Sequence, residues 1–264
     1  MSRLIEKWVE TIERELSDYE NNLRRKTGLD FAGIAGRANN VTRQAILDKA
    51  NNHKVAVVPI TSGKGLIGGF SSAVASIIRQ AGFHAFETNS TDVDGIYEAY
   101  SQNAKLVFMA DDRRYAGFAL ETRRASNNND ATARGFVHAL DAICPDGVSG
   151  KKVLIMGCGI IGKLSADILM KKNSFPVFFD KPSIAVNIRD CISDPTEIPN
   201  YQYIIDATNE GGWLKNDMLH DEVYISAPGV PLSLDYDALK RHEERLVHDV
   251  LHIGTLTMLG ELLF

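Results

Sequence analysis

The segment at residues 151–180, KKVLIMGCGIIGKLSADILMKKNSFPVFFD, constrains the fold of this chain more than any other. An apolar run leads directly into the glycine pattern Gly157-x-Gly159-x-x-Gly162, which opens an amphipathic helical pattern. A second apolar run follows and ends at an acid, Asp180. A strand, glycines, a helix, a second strand and a terminal acid in this order are typical of a βαβ unit that binds a dinucleotide.

Each glycine of this pattern has a physical reason. Gly157 permits a tight turn, Gly159 lets the main chain approach a pyrophosphate, and Gly162 lets the helix and strand pack closely. The helix N-terminus adds main-chain N–H groups and a partial positive charge for the pyrophosphate. Ile160 and Ile161, which follow the second glycine, belong to the same predicted cofactor site.

Asp180 indicates which dinucleotide binds. A carboxylate about 20 residues beyond the glycines accepts hydrogen bonds from the ribose hydroxyls and repels a 2′-phosphate, which favours NAD over NADP. Lys181 follows directly, and a cation that reached a 2′-phosphate would soften this preference. We predict NAD as the cofactor, with both residues at the ribose.

Two further strands are predicted in the second half of the chain, in YQYIIDATNEGG and EVYISAPGVP. The carboxyl ends of strands face the ligand crevice in open α/β sheets, so Thr208, Pro228 and Gly229 are candidate cofactor contacts. For Thr208, simple turn chemistry is an equal alternative.

The first half alternates between strand and helix patterns. The runs KVAVVPI, FHAFET and AKLVFMA predict strands, and the periodicity predicts helices over 70–81 and 92–103. Such alternation implies parallel strands with crossover helices. The predicted fold is therefore α/β, with an N-terminal α/β substrate domain at 1–149 and a Rossmann dinucleotide-binding domain at 150–264.

Three other segments complete the organisation. The turn-rich sequence CPDGVSG predicts the domain junction, and a preceding helix is expected around 132–143. The apolar segment 252–264 predicts a last helix that packs in the core or back on the first domain. Residues 2 to about 24 predict an amphipathic helix, either docked on the domain body or acting as a lid over the substrate.

Composition excludes several classes of partner. The 264-residue chain has a formal net charge of -5 with both signs interspersed, whereas nucleic acids and anionic membranes attract basic faces. No apolar stretch approaches the roughly 20 residues of a membrane-spanning helix, and the charged N-terminus lacks the apolar core of a signal peptide. We therefore expect a small-molecule substrate, with neither nucleic acid nor membrane as a partner.

Cysteines and histidines add two expectations. Cys144, Cys158 and Cys191 are odd in number and far apart, which is typical of a reducing compartment and predicts a cytoplasmic protein. The seven histidines show no HExxH or paired-ligand spacing, so no metal is expected. The oligomeric state stays open, a homodimer included.

Two loops at strand ends are candidates for a substrate pocket. The glycine-rich sequence PITSGKGLIGGF (59–70) follows the first predicted strand but lacks the spacing of a Walker phosphate loop. The sequence MADD ends the third strand with two carboxylates, Asp111 and Asp112. Carboxylates at strand ends beside a cofactor often take part in chemistry. The alternative is that these acids cap a following helix.

The chain resembles the pyrrolysine synthase (PylD) family in six segments that follow one another in order: RRKTGLD (24–30), VVPITSGKGLIGGFS (57–71), VFMADD (107–112), MGCGIIG (156–162), SAPGVP (226–231) and IGTLTML (253–259). The resemblance implies an NAD-dependent dehydrogenase. Its substrate would be 3-methylornithyl-N6-lysine, whose terminal amine carbon is oxidised. Ammonia and water are then lost as the pyrroline ring of pyrrolysine closes.

Carried over position by position, the resemblance implies a substrate pocket made of Leu4, Ile60, Ser62, Asp111, Asn128 and Asp249. Asp111 would be the catalytic group that holds and deprotonates the reacting amine. Asp249 is a departure, because the family has a longer glutamate there. Around 125–135 the alignment leaves Asn127 and Asn129 as alternatives to Asn128.

Two other functions stay open from the sequence. A methylenetetrahydrofolate dehydrogenase-like enzyme also has an α/β first half followed by a nucleotide-binding domain. The Tyr-x-x-x-Lys of that family is absent from the first half of the chain, where the residues four positions after Tyr97, Tyr100 and Tyr115 are Ser101, Ala104 and Ala119. A non-enzymatic NAD(H)-binding redox sensor would need a segment for a partner or DNA, and no helix-turn-helix or basic patch is evident.

Overall fold

The structure is a computed structural model that describes residues 4–185, 188 and 190–264. Contacts divide the chain into two compact units. The first unit contains residues 4–25, Leu29–Gly135 and Leu251–Phe264, and the second contains Lys26–Gly28 and Phe136–Val250. The sequence analysis places the junction at the turn-rich segment 144–150, whereas this division falls earlier along the chain.

The first unit contains a five-stranded sheet with the order β2-β1-β3-β4-β5. Its strands are β1 (Val55–Val58), β2 (Ala85–Glu87), β3 (Leu106–Ala110), β4 (Tyr115–Ala119) and β5 (Arg124–Asn127). β1 pairs in parallel with β2 and β3, as the alternating pattern predicts. β4 and β5 are antiparallel additions that the sequence analysis did not predict.

Helices surround this sheet in the chain order α1 (Glu6–Val9), α2 (Ile12–Thr27), α3 (Phe31–Ala38), α4 (Arg43–Ala50), α5 (Phe70–Gln80), α6 (Asp92–Ser101) and α7 (Asn128–Ile143). The predicted helix over residues 2 to about 24 is thus divided into α1 and α2. The apolar stripe is real, because Ile12, Leu16 and Leu23 are all buried. The division between the two units falls within α7.

Two helices that the sequence analysis missed, α3 and α4, begin at polar caps. The Asp30 carboxylate accepts a hydrogen bond from the Gly33 N–H at 2.8 Å, and the Thr42 hydroxyl accepts one from the Ala45 N–H at 3.1 Å. Such caps satisfy main-chain donors that a helix leaves without partners. Arg43 also donates to Asp30 at 2.6 Å, which ties the start of α4 to the start of α3.

The second unit contains a six-stranded sheet with the order β11-β10-β9-β6-β7-β8. Its strands are β6 (Lys152–Met156), β7 (Phe175–Phe179), β8 (Cys191–Ile192), β9 (Tyr203–Asp206), β10 (Tyr224–Ala227) and β11 (Leu246–His248). All five strand pairings are parallel. Numbered from β6, the sheet has the doubly wound order 3-2-1-4-5-6, and the α/β fold is confirmed.

Crossover helices and short helical turns connect these strands. The α-helices are α8 (Ile160–Lys171), α9 (Pro182–Ala185) and α10 (Tyr236–His242), and 3-10 turns occupy Pro195–Asn200, Asn216–Met218 and Glu243–Arg245. The apolar faces of β6, β9 and β10 form the core, where Leu154, Ile204 and Ile225 are fully buried. The topology switches between β6 and β9, which places the ligand crevice at the carboxyl ends of these two strands.

The last helix, α11 (His252–Leu263), is buried along nearly its whole length in the first unit. Small residues allow this close packing. A Cβ added at Gly260 would lie 2.6 Å from the Ala35 main-chain oxygen on α3, and one at Gly135 on α7 would lie 2.5 Å from Ile253 and Thr257. Tyr115 on β4 is within hydrogen-bond distance of Thr255, at 2.9 Å. The chain terminus is therefore part of the core of the first unit.

Replacement of Gly260 by alanine tests this packing. The Ala35 main-chain oxygen cannot move away without shifting α3, so we expect the overpacked helix to lose roughly 1–3 kcal/mol of unfolding free energy. The better helix propensity of alanine offsets only about 1 kcal/mol. Thermal unfolding followed by circular dichroism should show a melting temperature lower by several degrees.

Gly159→Ala is the matched control for this measurement. It adds the same methyl group where no heavy atom lies within 4 Å of the new Cβ. The ligand-free control should therefore melt close to the wild type. Equal losses in the two variants would contradict the packing argument.

Candidate functional site

The glycine turn between β6 and α8 has the geometry that its sequence predicts. Gly157 adopts φ +95°, a left-handed conformation that side chains disfavour, and a Cβ there would lie 2.9 Å from the Ala207 main-chain oxygen. A Cβ on Gly162 would collide with the Gly157 oxygen, so the helix and strand approach closely here. Gly159 is the N-cap of α8 and faces open space. The turn therefore leaves room for a ligand at the helix N-terminus.

Asp180 is anchored to this glycine turn. One carboxylate oxygen accepts a hydrogen bond from the Cys158 N–H at 2.8 Å, and the other accepts one from the Lys181 N–H at 2.8 Å. A carboxylate has about four lone-pair sites, so both oxygens can still accept hydrogen bonds from a ligand. The acid is thus held in a fixed position beside the loop rather than free in solvent.

Lys181 forms an ion pair with Glu210. The hydrogen bond to Glu210 raises the pKa of the lysine, and the charges of Glu210 and Asp180 add to the effect. Both side chains of the pair are more than half exposed. The sequence analysis treated Lys181 as a free cation and did not identify Glu210. Its position in the loop after β9 is the only signal that could have indicated it.

A second carboxylate, that of the buried Asp206 at the end of β9, organises the neighbouring loops. One of its oxygens accepts hydrogen bonds from the Thr208 N–H at 3.1 Å and the Thr208 hydroxyl at 2.7 Å. The other oxygen accepts one from the Ser233 hydroxyl. The Asp206 main-chain oxygen accepts from the Gly229 N–H at 2.9 Å. One fully buried residue therefore fixes the segments that carry Thr208, Pro228 and Gly229.

This network constrains what Thr208 can offer a ligand. Because its hydroxyl proton is donated to Asp206, the Thr208 oxygen has only lone pairs left and can act only as an acceptor. The turn chemistry considered for Thr208 is therefore present, and it is compatible with a ligand contact. The sequence analysis missed Asp206, although an acid ending a buried strand two residues before a threonine is a turn signal.

In the first unit the two candidate substrate loops lie side by side at the carboxyl ends of β1 and β3. The Asp112 carboxylate accepts a hydrogen bond from the Lys64 N–H at 2.6 Å and lies directly against Gly63. The main-chain N–H and hydroxyl of Thr61 donate to Asp92 at 2.9 and 2.6 Å, at the start of α6. These two acids fix the shape of the glycine-rich loop.

Asp111 has a different role from its neighbour. One of its oxygens accepts hydrogen bonds from the N–H groups of Arg113 at 2.8 Å and Arg114 at 2.7 Å, which closes the tight turn between β3 and β4. The helix-cap alternative for these acids is wrong, because the next element is a β-strand. The two N–H groups lower the pKa of Asp111, helped by the charges of both arginines. Asp111 is therefore an exposed carboxylate at a strand end.

The three candidate asparagines at the start of α7 are distinguished by their contacts. The Asn127 side chain accepts from the Asp130 N–H at 3.2 Å and donates to the Asp130 carboxylate, so it acts as a helix cap. The Asn128 side-chain oxygen accepts from the Thr132 hydroxyl at 3.2 Å and lies against Gly254 of α11. Asn129 is half-buried.

The remaining predicted substrate residues are distributed over both units. Leu4, at the start of the described chain, is half-buried, and Ser62 is exposed on the glycine-rich loop. Ile60 packs against the apolar cluster around Val58 and Val107. These three residues belong to the first unit, whereas Asp249 belongs to the second. Asp249 is buried just beyond β11.

The described residues contain no group of three or more histidine, cysteine, aspartate or glutamate side chains placed to hold a metal ion. Within the same residues, no helix has the length and hydropathy to cross a membrane.

The sheet order, the left-handed glycine turn and the anchored acid define the second unit as a Rossmann-type dinucleotide-binding fold. Comparison with known proteins then specifies the family. Residues 8–126 match the family model of the pyrrolysine biosynthesis protein PylD, N-terminal domain. Pyrrolysine synthase of Methanosarcina acetivorans is 31% identical over 100% of both chains. Pyrrolysine synthase of Methanosarcina barkeri is 29% identical, over 96% of this chain and 94% of that protein.

The chain belongs to the pyrrolysine synthase family, which confirms the resemblance found in the sequence. Among solved structures, the bifunctional 5,10-methylenetetrahydrofolate dehydrogenase/cyclohydrolase of Thermoplasma acidophilum is similar with a TM-score of 0.52. It is 10% identical, and the match covers 87% of this chain and 94% of that one. At this identity the likeness shows a shared fold and nothing about the substrate.

Replacement of Asp206 by alanine tests whether this carboxylate organises the carboxyl edge of the second unit. The change leaves a main-chain N–H and two hydroxyl groups without their buried acceptor, so we expect a loss of roughly 2–4 kcal/mol in unfolding free energy. Urea unfolding measures it. The chain has two tryptophans, and Trp213 reports on the second unit in a Trp8→Phe background.

Asp194→Ala is the matched control, because Asp194 makes the same two contacts to Thr196, at 2.9 and 2.7 Å, on the exposed surface. Its loss should barely move the urea midpoint, since water can replace the lost acceptor. If Asp206→Ala and Asp194→Ala have the same unfolding free energy, Asp206 does not organise these loops.

Proposed function

We propose that this protein is an NAD-dependent dehydrogenase that oxidises the terminal amine carbon of 3-methylornithyl-N6-lysine. Loss of ammonia and ring closure then give pyrrolysine. The observation that carries the proposal is the full-length similarity to proteins named pyrrolysine synthase. It is supported by the Rossmann fold of the second unit, in which the Asp180 carboxylate is hydrogen-bonded to the glycine turn. NAD supplies the hydride acceptor when bound.

The second unit fits NAD at its glycine turn. The pyrophosphate is assigned to the main chain from Gly157 to Gly162, where the open space at Gly159 permits a close approach. The N–H groups of Ile160 and Ile161 lie in the first turn of α8 and have no partners within the helix. They can donate to phosphate oxygens together with the helix dipole.

The ribose end is assigned to Asp180, Lys181 and Thr208. Asp180 accepts from the ribose hydroxyls, and its charge opposes a 2′-phosphate. The ion pair with Glu210 occupies the Lys181 ammonium group, so this cation is not available to attract a 2′-phosphate. Thr208, Pro228 and Gly229 are assigned to the cofactor beyond the glycine turn, with the Thr208 oxygen accepting a hydrogen bond from it.

This assignment predicts how cofactor choice can be changed. Asp180→Ala should weaken NAD by about 10-fold or more, the size of a lost hydrogen bond to a charged group, and narrow the gap to NADP. Glu210→Gln should raise NADP affinity and leave NAD affinity nearly unchanged, because it frees Lys181. Isothermal titration calorimetry with both dinucleotides measures these changes.

Lys181→Met in the Glu210→Gln background is the control for that gain. The additional methionine should return NADP affinity to the wild-type level. The ribose assignment is wrong if the gain in NADP affinity persists in the variant without the lysine. It is also wrong if the Asp180→Ala protein binds NAD as well as the wild type.

Within the first unit, the substrate is assigned to Leu4, Ile60, Ser62, Asp111 and Asn128. A role for Asp249 of the second unit stays a prediction from the family resemblance. A hydride leaves only from a carbon that bears a neutral amine, because an ammonium group has no lone pair to form the imine. The negative charge of the Asp111 carboxylate attracts the ammonium form of the substrate amine. The hydrogen bonds that lower its pKa make it a poor base, so we assign it as the ionic anchor of the ammonium group, whose proton is lost to water.

Asp111→Asn tests this role because it keeps the shape and the turn hydrogen bonds but removes the charge. We expect kcat to fall on the order of 100-fold, the usual cost when a reacting group is no longer held in position. NAD affinity should be unchanged, since the cofactor residues are intact. Turnover is measured as NADH absorbance with 3-methylornithyl-N6-lysine.

Asp112→Asn is the matched control, since the neighbouring acid holds the glycine-rich loop through Lys64. Its amide oxygen can still accept that hydrogen bond, so kcat should stay near the wild-type value. If kcat falls in Asp112→Asn and not in Asp111→Asn, the role belongs to Asp112. If both variants turn over normally, neither acid takes part in the reaction.

The same assay discriminates the alternative functions. A non-enzymatic redox sensor would bind NAD(H) and give no turnover with any amine substrate. A methylenetetrahydrofolate dehydrogenase-like enzyme would turn over the folate and not the amine.

A further inference from the structure

Two of the three cysteines in the chain meet at the glycine turn. Cys158 lies between Gly157 and Gly159, and Cys191 begins β8. Their sulfur atoms are 3.8 Å apart, although 33 residues separate them in sequence. Both are free thiols, and the third cysteine, Cys144, is buried close after the end of α7.

We infer that Cys158 and Cys191 are an oxidative modification site, at which a reversible disulfide closes the dinucleotide site. Formation of the bond rests on the thiol geometry alone. Its effect on the ligand rests on the proposed function, because it assumes that the glycine turn binds the pyrophosphate.

The reaction balances with a peroxide as the oxidant. The sulfur of Cys191, the more accessible thiol, attacks one peroxide oxygen and becomes a sulfenic acid, while the O–O bond breaks and the other oxygen leaves as water. The Cys158 sulfur then displaces the sulfenic oxygen as a second water and forms the S–S bond. Two thiols lose two protons and two electrons, and one hydrogen peroxide takes them up to become two waters. An external dithiol reverses the change by thiol–disulfide exchange.

The geometry shows which side of the pair must move. A disulfide is about 2.05 Å long, so the sulfur atoms must approach by nearly half of their present separation. Cys191 is held in the sheet by its pairing with Phe178 on β7. Cys158 lies in a loop between two glycines, so the loop is expected to shift toward β8. This motion displaces the N–H groups that face the pyrophosphate and the bond from the Cys158 N–H to Asp180.

The surroundings of the thiols determine how readily they react. Burial raises the pKa of both thiols, and the Asp180 carboxylate raises each further. Thiolates are therefore scarce at neutral pH, and oxidation should be slower than at a surface cysteine of ordinary pKa. An excess of peroxide is needed, and the pair should stay reduced under mild conditions.

To test this inference, the whole protein is treated with excess hydrogen peroxide. The intact mass and the NAD affinity are then measured before and after addition of dithiothreitol. We expect a loss of two mass units, a peptide that links Cys158 to Cys191, and NAD affinity at least 10-fold weaker, with full recovery after reduction. Circular dichroism should be unchanged, which excludes global unfolding as the cause.

Two variants provide the controls. Cys191→Ser should bind NAD like the wild type and keep this affinity after peroxide, whereas Cys144→Ser should remain sensitive. If the linked peptide never forms, the modification site is wrong. If the disulfide forms but NAD affinity is unchanged, the closure of the site is wrong. A reduced wild-type protein that binds no NAD would instead contradict the proposed function.

Discussion

Aspartates that accept main-chain N–H groups determine the shape of the loops at the carboxyl ends of the strands. A loop that leaves a sheet carries N–H groups with no partner in the ladder, and these must be satisfied by side chains or water. Asp112 and Asp180 do this for the glycine-rich loop and the glycine turn. The Asp206 carboxylate does it for the loop after β9, while its main-chain oxygen accepts the Gly229 N–H of the next loop. Both candidate sites are thus formed by loops that carboxylates hold in place.

This arrangement explains how glycine-rich loops can be specific. Gly63 and Gly157 adopt left-handed conformations, which side chains disfavour, and loops of this kind have few contacts of their own. A hydrogen bond from the loop to a carboxylate fixed at a neighbouring strand end limits this freedom. The glycines allow the main chain to approach a ligand, and the acids keep it in one conformation.

The sequence predicted the parts of the fold that have a strong local pattern. The glycine turn, the parallel strands β1, β2, β3, β6, β7, β9 and β10, and the helices α5, α6, α8 and α11 were predicted from their apolar patterns and glycines. The short parallel strands β8 and β11 were not predicted. β5 could not be found in this way, because its residues Arg124–Asn127 include no large apolar side chain and are held by pairing with β4. α3 was missed because it is short and its sequence, FAGIAGRA, contains two glycines, which are poor helix formers, although the helix is almost fully buried.

The same distinction between local and non-local patterns applies to the site residues. Gly157, Gly159, Gly162 and Asp180 were found because they form a motif within one βαβ unit. Glu210 and the Cys158–Cys191 pair depend on segments brought together by the sheet order β9-β6-β7-β8, which no local pattern encodes. The roles of these residues become evident only when the strands are placed side by side.

The adjacent acids Asp111 and Asp112 show why composition at a strand end is not enough to assign chemistry. Because consecutive residues at the end of a strand point in different directions, one carboxylate turns toward the loop and the other toward its own turn. Asp112 is engaged by the Lys64 N–H, and Asp111 keeps one oxygen outside the turn contacts that lower its pKa. A carboxylate held ionised in this way is a good partner for an ammonium group and a poor acceptor for its proton. The chemistry of a strand-end acid therefore follows from which N–H groups it already accepts.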